Sequence, residues 1–116
     1  MILYDHWSEV RRNTNVWPWE NFSPREIACR GTGELLIVPF AMDRLQDLRN
    51  RIGPITINSA YRSRLYNVRV GGAALSAHRG LAPGVLAFDL PAKTMERRLN
   101  LHYFAERCGF TGFGWS

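Results

Sequence analysis

The stretch Ile57 to Asp89 decides the fold of this chain, because four short motifs follow one another within it. They are Ile57-Asn58-Ser59-Ala60-Tyr61-Arg62-Ser63, Val70-Gly71-Gly72-Ala73, Ser76-Ala77-His78 and Ala87-Phe88-Asp89. A catalytic zinc takes three protein ligands from His, Asp, Glu or Cys and keeps a fourth position open for water. His78 and Asp89 are suitable ligands, and both border glycine-containing segments that allow tight turns. Spacing alone is weak evidence, since most His and Asp side chains are solvated or hydrogen-bonded for structural reasons.

The order of the motifs adds to that evidence. It resembles the D-alanyl-D-alanine carboxypeptidase family of zinc peptidases (clan MD), many of them phage endolysins or bacterial wall enzymes. That family has Ser-(Gly/Ala)-Tyr-Arg-Ser, Val-Gly-Gly-Ala, Ser-x-His and Gly-x-Ala-x-Asp in the same order. The resemblance extends to Asn21–Cys29, to Leu45–Arg49 and to Cys108–Gly114, so it covers about residues 21–114.

The resemblance implies an α+β fold in which a small antiparallel sheet is flanked by helices. It also implies zinc-dependent hydrolysis of a bond in the peptidoglycan stem peptide, of the D,D-carboxypeptidase or endopeptidase type. His78 and Asp89 would hold Zn²⁺, Arg62 would be catalytic by stabilising the developing oxyanion, and Tyr61 and Ser76 would contact the substrate. Structural roles remain open for three of them: Arg62 can pin a turn, Tyr61 can belong to the core, and Ser76 can cap a turn.

Two departures from the family pattern bear on activity. Residues 81–84 read as a loop insertion between His78 and Asp89. The family's third ligand and general base lie in a closing Phe-Val-His-Val-Asp-like segment that these 116 residues do not contain, so the sequence predicts a domain truncated at its C-terminal end. His102 falls in a helical pattern, and a ligand from His6 or from a second copy of the chain is conceivable. The competing interpretation is an inactive family member that serves as a structural or wall-binding component of a phage virion. A third interpretation is that the chain is an incomplete copy of an ordinary enzyme of this family.

Length and composition fit one globular domain of 116 residues, with 46% hydrophobic and 12% aromatic residues. No apolar run is long enough for a membrane span, and the charged N-terminus predicts no signal peptide. We therefore expect synthesis in the cytoplasm and action at the cell wall or from a phage particle. The net charge of +5 favours polyanionic partners such as the bacterial wall. The arginines are scattered and no nucleic-acid motif accompanies them, so nucleic acid is not the expected partner.

The remaining pattern divides the chain into an irregular arm, residues 1–20, and a peptidase-like domain, residues 21–116. Trp7, Trp17 and Trp19 of the arm are expected to pack against other residues, and other virion proteins are candidate partners of this arm. Helices are predicted from Ser23 to about Arg30, from Pro39 to Ile52 and after Thr94 to Gly109, the last with Met95, Leu99, Tyr103 and Phe104 as its core face. Strands are predicted at 55–58 and, buried on both faces, at 85–90. Cys29 and Cys108 are expected to be buried thiols.

Overall fold

The computed structural model describes residues 1–72, 77–80 and 86–110, and in them a small sheet is accompanied by four helices. Strand β1 (Ile2–Tyr4) pairs antiparallel with β2 (Leu35–Ile37), in the register Ile2 to Ile37. All of β2 is buried, whereas Ile2 and Leu3 on the outer strand are more than half exposed. The predicted α+β class with a small antiparallel sheet is therefore confirmed. Residues 2–4 form a strand where the sequence predicted an irregular arm, because their partner strand lies some thirty residues away in the chain.

The two helices that flank β2 begin and end through local sequence signals. Helix α1 (Pro24–Ile27) has the predicted capping box, since the Ser23 hydroxyl accepts from the Glu26 amide and the Glu26 carboxylate accepts from the Ser23 amide. It ends earlier than the predicted Arg30. Helix α2 (Pro39–Ile52) has the predicted bounds, with proline in its first turn and Gly53, at φ 88°, at its end.

The tryptophans of the N-terminal segment lie in the core of this chain. Trp17 is fully buried and its indole Nε1 donates to the Phe22 carbonyl at 2.8 Å. Trp19 is 5% exposed and donates from Nε1 to Asp43 Oδ1 on α2 at 2.8 Å, while its ring meets that of Trp17 edge to face. Their hydrogen bonds and burial tie the segment to the domain, so these two rings are not a surface for a partner.

Helix α4 (Met95–Arg107) begins after Thr94 as predicted, but it presents a different face to the core. Leu101 and Ala105 are buried against the protein, whereas the predicted core residues Met95, Leu99 and Tyr103 are each more than half exposed. Phe104, which was also predicted to face the core, does pack partly buried against it. The buried residues are offset by two positions from the predicted ones. At about 100° per residue, this offset places the buried face roughly 200° around the helix from the predicted face. Two apolar stripes exist on this helix, and the packing against α2 selects the one with the smaller side chains.

Two extended segments meet where strands were predicted, and within residues 1–72, 77–80 and 86–110 they are joined by a single bridge. The Asn58 amide donates to the Asp89 carbonyl at 2.9 Å and the Asp89 amide donates to the Ser59 carbonyl at 2.7 Å. Val85 lies outside the described residues, and Asp89 is exposed, so the described part of the second segment is not buried on both faces. The bridge nevertheless fixes Asp89 beside the Ser59–Ser63 segment.

Helix α3 (Arg64–Arg69) begins after Ser63, whose hydroxyl accepts from the Tyr66 amide. Cys29 and Cys108 are buried free thiols, as expected. Across 1–72, 77–80 and 86–110, no helix has the length and apolar character needed to cross a membrane.

Candidate metal centre

His78 is held in one orientation by the motif that precedes it. It lies in a 3₁₀ turn, Ala77–Arg79, and is 9% exposed. Its Nδ1 is 2.6 Å from the carbonyl oxygen of Ala60, and its own carbonyl accepts from the Arg62 amide at 2.8 Å. A carbonyl oxygen can only accept, so Nδ1 carries the proton and Nε2 of a neutral ring carries the lone pair. This is the arrangement that metal-binding histidines use.

Asp89 faces His78 across a short gap. Its Oδ1 lies 3.4 Å from His78 Nε2, and its Oδ2 lies 3.4 Å from Arg62 Nη2. The Asp89 side chain is half exposed, whereas that of Arg62 is 19% exposed. The structure therefore brings together the two predicted ligands and the predicted catalytic arginine, although ten residues separate His78 from Asp89 in the chain.

The gap between the two side chains fits a metal ion. Zinc binds imidazole nitrogen and carboxylate oxygen at about 2.0–2.2 Å, so two such ligands at a tetrahedral angle stand about 3.3 Å apart. The observed 3.4 Å between Nε2 and Oδ1 agrees with that spacing. Two donors of the right type thus lie at the right separation with the right histidine tautomer.

A third donor does not join them within the part of the chain that is described. No group of three His, Cys, Asp or Glu residues suited to a metal occurs there. His6, a conceivable third ligand, instead caps the Trp7–Glu9 turn by accepting from the Ser8 amide. His102 lies on α4 with its Nε2 3.9 Å from Glu106 Oε2.

The residues predicted to contact substrate differ in what the structure shows of them. Tyr61 is 7% exposed and its hydroxyl donates to Glu34 Oε2 at 2.7 Å. Burial, together with the hydrogen bond to Glu34 and its negative charge, raises the pKa of Tyr61 well above its usual range. Tyr61 belongs to the core and also lines a surface groove, together with its partner Glu34. Ser76 lies outside the described residues.

Sequence reasoning missed two groups that position these side chains. Glu34 holds the Tyr61 hydroxyl but lies 27 positions earlier, and no local pattern connects the two. The Ala60 carbonyl orients His78 through its backbone, so the residue type carries no signal. The position of Ala60 inside the Ser-Ala-Tyr-Arg-Ser motif is the one available clue, since motif residues are the ones expected to surround a site.

The structure shows a small α+β protein in which His78, Asp89 and Arg62 lie together, and comparison gives the family. A family model described as Peptidase M15 matches residues 20–116. The chain therefore belongs to the M15 family of zinc peptidases. No curated protein and no solved structure matches the chain.

Proposed function

We propose that this protein is a zinc-dependent peptidase that cleaves a bond in the peptidoglycan stem peptide, as a D,D-carboxypeptidase or endopeptidase. The observation that carries the proposal is the approach of His78 Nε2 to Asp89 Oδ1 at 3.4 Å, with Arg62 on the other carboxylate oxygen. Membership of the M15 family supports a peptidase-type function for this chain.

His78 and Asp89 would hold the zinc ion. When bound, zinc supplies a Lewis acid that lowers the pKa of water and polarises a carbonyl. The protein's contribution is orientation: the Ala60 carbonyl holds the proton on His78 Nδ1, and the Ser59–Asp89 bridge places the carboxylate opposite Nε2. These contacts hold the His78 ring and the Asp89 backbone in place, while the Asp89 side chain itself is half exposed.

Arg62 would bind the substrate beside the metal. Its guanidinium is anchored by Asp89, and its remaining N–H groups suit a carboxylate or the oxygen of a carbonyl under attack. Tyr61 and Ser76 are the further substrate-binding residues of this proposal. The net charge of +5 favours approach to a wall that carries acidic polymers. We place the action at the cell wall, from the bacterial cell or from a phage particle.

The test combines zinc content with hydrolysis. The purified chain is dialysed against trace zinc and its zinc per chain is measured by elemental analysis. Mass spectrometry follows a stem pentapeptide, free and cross-linked, for release of D-alanine or for an internal cut. We expect about one zinc per chain and measurable hydrolysis. His78→Ala and Asp89→Ala should lose both, because even changes to groups behind the ligands weaken metal binding by about 10–100-fold. His102→Ala on α4 is the matched control and should keep both.

One observation favours a second function, an inactive family member that acts as a structural or wall-binding component of a virion. Within residues 1–72, 77–80 and 86–110, only two donors meet at the site, and catalytic zinc uses three. In that case zinc stays near zero in the wild type as in both variants, the stem peptides are neither trimmed nor cut internally, and sedimentation with purified cell walls persists. Because Trp17 and Trp19 are buried, a virion partner would meet the exposed Ile2 and Leu3 of β1.

A further inference from the structure

The outward face of α4 carries three large apolar side chains. Met95 is 67% exposed, Leu99 is 63% exposed and Tyr103 is 51% exposed, and each follows the one before it by four positions. Residues four apart lie on the same side of a helix, so these side chains form one stripe along it. The opposite side of α4, with the buried Leu101 and Ala105, packs against α2. The stripe therefore faces away from the core of its own chain.

Two charges of opposite sign border this stripe at its two ends. Glu96 is exposed in the first turn of α4, and Arg107 is exposed at its last residue. The guanidinium carbon of Arg107 lies 3.4 Å from the centre of the Tyr103 ring, so this charge stands directly beside the stripe. Within residues 1–72, 77–80 and 86–110, neither Glu96 nor Arg107 makes an ion pair.

The spacing of these two charges follows from helix geometry. Arg107 comes 11 positions after Glu96. At about 100° and 1.5 Å per residue, 11 positions are three full turns plus about 20°, and they span roughly 16 Å along the axis. The two charges thus lie on the same side of the helix, one near each end, with the apolar stripe next to them.

A second copy of the same helix, running antiparallel, complements this arrangement. Pairing about a two-fold axis brings Glu96 of one copy beside Arg107 of the other, and the symmetry makes this contact twice. With these charges level, Leu99 of each copy lies within about 1.5 Å, along the axis, of Tyr103 of the other. Parallel pairing would instead bring the two Glu96 side chains together, and likewise the two Arg107 side chains. Charge therefore favours the antiparallel orientation.

The other charged groups of α4 leave this packing open. Arg97 and Arg98 donate to backbone carbonyls of the same chain at 3.3 and 3.0 Å, which holds both toward the protein. Glu106 lies on the outer face near the end of the stripe, where its Oε2 is 3.9 Å from His102 Nε2 of the same helix. Its side chain is 67% exposed, and charged groups at the rim of an interface stay in water.

We propose that this face of α4 is an interface between two copies of the chain, packed antiparallel through Leu99 and Tyr103 and closed at each end by Glu96 of one copy and Arg107 of the other. The inference is independent of the proposed peptidase function, since it needs neither metal nor hydrolysis. One helix face is smaller than the roughly 800 Å² per partner of a standard interface, so the dimer is weak, with a dissociation constant of about 10–100 µM.

The experiment is sedimentation equilibrium on the full chain at about 5–500 µM. The average mass should rise with concentration from the 13.3 kDa of one chain toward twice that value. Leu99→Gln should raise the dissociation constant about 10-fold, because it removes apolar surface from the middle of the interface. Leu65→Gln replaces an exposed leucine on α3 and is the matched control, so it should dimerise like the wild type.

The charge contacts are tested by exchange of sign. Glu96→Arg and Arg107→Glu should each raise the dissociation constant about 10-fold, because like charges then meet at both ends of the interface. An equimolar mixture of the two variants should associate as tightly as the wild type, because opposite charges again face each other at both ends of the heterodimer. The mixture contains the same two chains, so a folding defect in either one cannot produce this recovery. Circular dichroism reports whether each variant keeps its helices.

A wild type that remains a monomer at about 500 µM would overturn the inference. Dimerisation of Glu96→Arg as tight as that of the wild type would also overturn it, as would a mixture no tighter than either charge variant alone. A loss in Leu65→Gln equal to that in Leu99→Gln would place the contact elsewhere and has the same consequence. Zinc content and hydrolysis are measured separately, so failure of the dimer is distinguishable from failure of the proposed function.

Discussion

Replacing Tyr61 by Phe separates the two roles open to this residue, core packing and substrate contact. The substitution keeps the ring, which is 7% exposed, and removes only the hydroxyl that donates to Glu34 Oε2 at 2.7 Å. A hydrogen bond to a charged group contributes about 1.5–3 kcal/mol, and we take the lower end because the Glu34 side chain is only half-buried. We therefore expect the free energy of unfolding to fall by about 1.5 kcal/mol.

The thermal consequence follows from chain length. At about 2.1 cal/mol/K per residue, unfolding 116 residues has an entropy of about 0.24 kcal/mol/K, so the expected loss lowers Tm by about 6 °C. Urea titration gives the free energy, and calorimetry gives Tm. In the Glu34→Ala background the same tyrosine substitution should cost less than about 0.5 kcal/mol, since its partner is gone.

A loss below about 0.5 kcal/mol for Tyr61→Phe in the wild-type background would refute the reasoning. If stability is unchanged while kcat/KM for the pentapeptide falls, the hydroxyl serves the substrate and its bond to Glu34 is incidental. Equal losses in both backgrounds would show that the hydroxyl stabilises the fold through some other contact.

Two further predictions concern stability. Gly72→Ala should lower the free energy of unfolding by about 1–3 kcal/mol, because the added methyl would overlap the amide oxygen of the buried Asn67. At Gly71 the added methyl meets open space, so Gly71→Ala should cost only about 1 kcal/mol, for its φ of 73°. Equal losses for the two variants in urea titrations would contradict this. Burial and the neighbouring Asp47 raise the pKa of Cys108 to about 11. The thiol of the unfolded chain ionises at a lower pH than that of the folded chain, so ionisation favours unfolding as the pH rises. The contribution of the buried thiol to the free energy of unfolding is therefore fully present below about pH 8.5 and is lost by about pH 11. Cys108→Ala should show a smaller decline in unfolding free energy between pH 8 and 10.5 than the wild type, and an unchanged decline would count against the assignment.

Local sequence signals predicted much of the helical structure. The Ser23 to Glu26 capping box, the Pro39 start and Gly53 end of α2, and the Thr94 cap each act through hydrogen bonds or backbone angles within a few residues, so the sequence alone shows them. The face of α4 was predicted wrongly because two apolar stripes compete on it. Which stripe is buried depends on α2, and helix periodicity contains no information about the neighbour.

The same distinction between local sequence signals and tertiary contacts applies to the candidate site. The sequence by itself determined the candidate ligands His78 and Asp89 and the arginine beside them, since metal ligation and carboxylate binding require particular side chains and the motif order marks where they occur. Only the tertiary structure decided that Nε2 and Oδ1 stand 3.4 Å apart, that the Ala60 carbonyl fixes the histidine, and that Leu3 of β1 lines the same groove as Tyr61. Those features depend on backbone groups and on segments distant in sequence, and such contacts form only when the chain is folded.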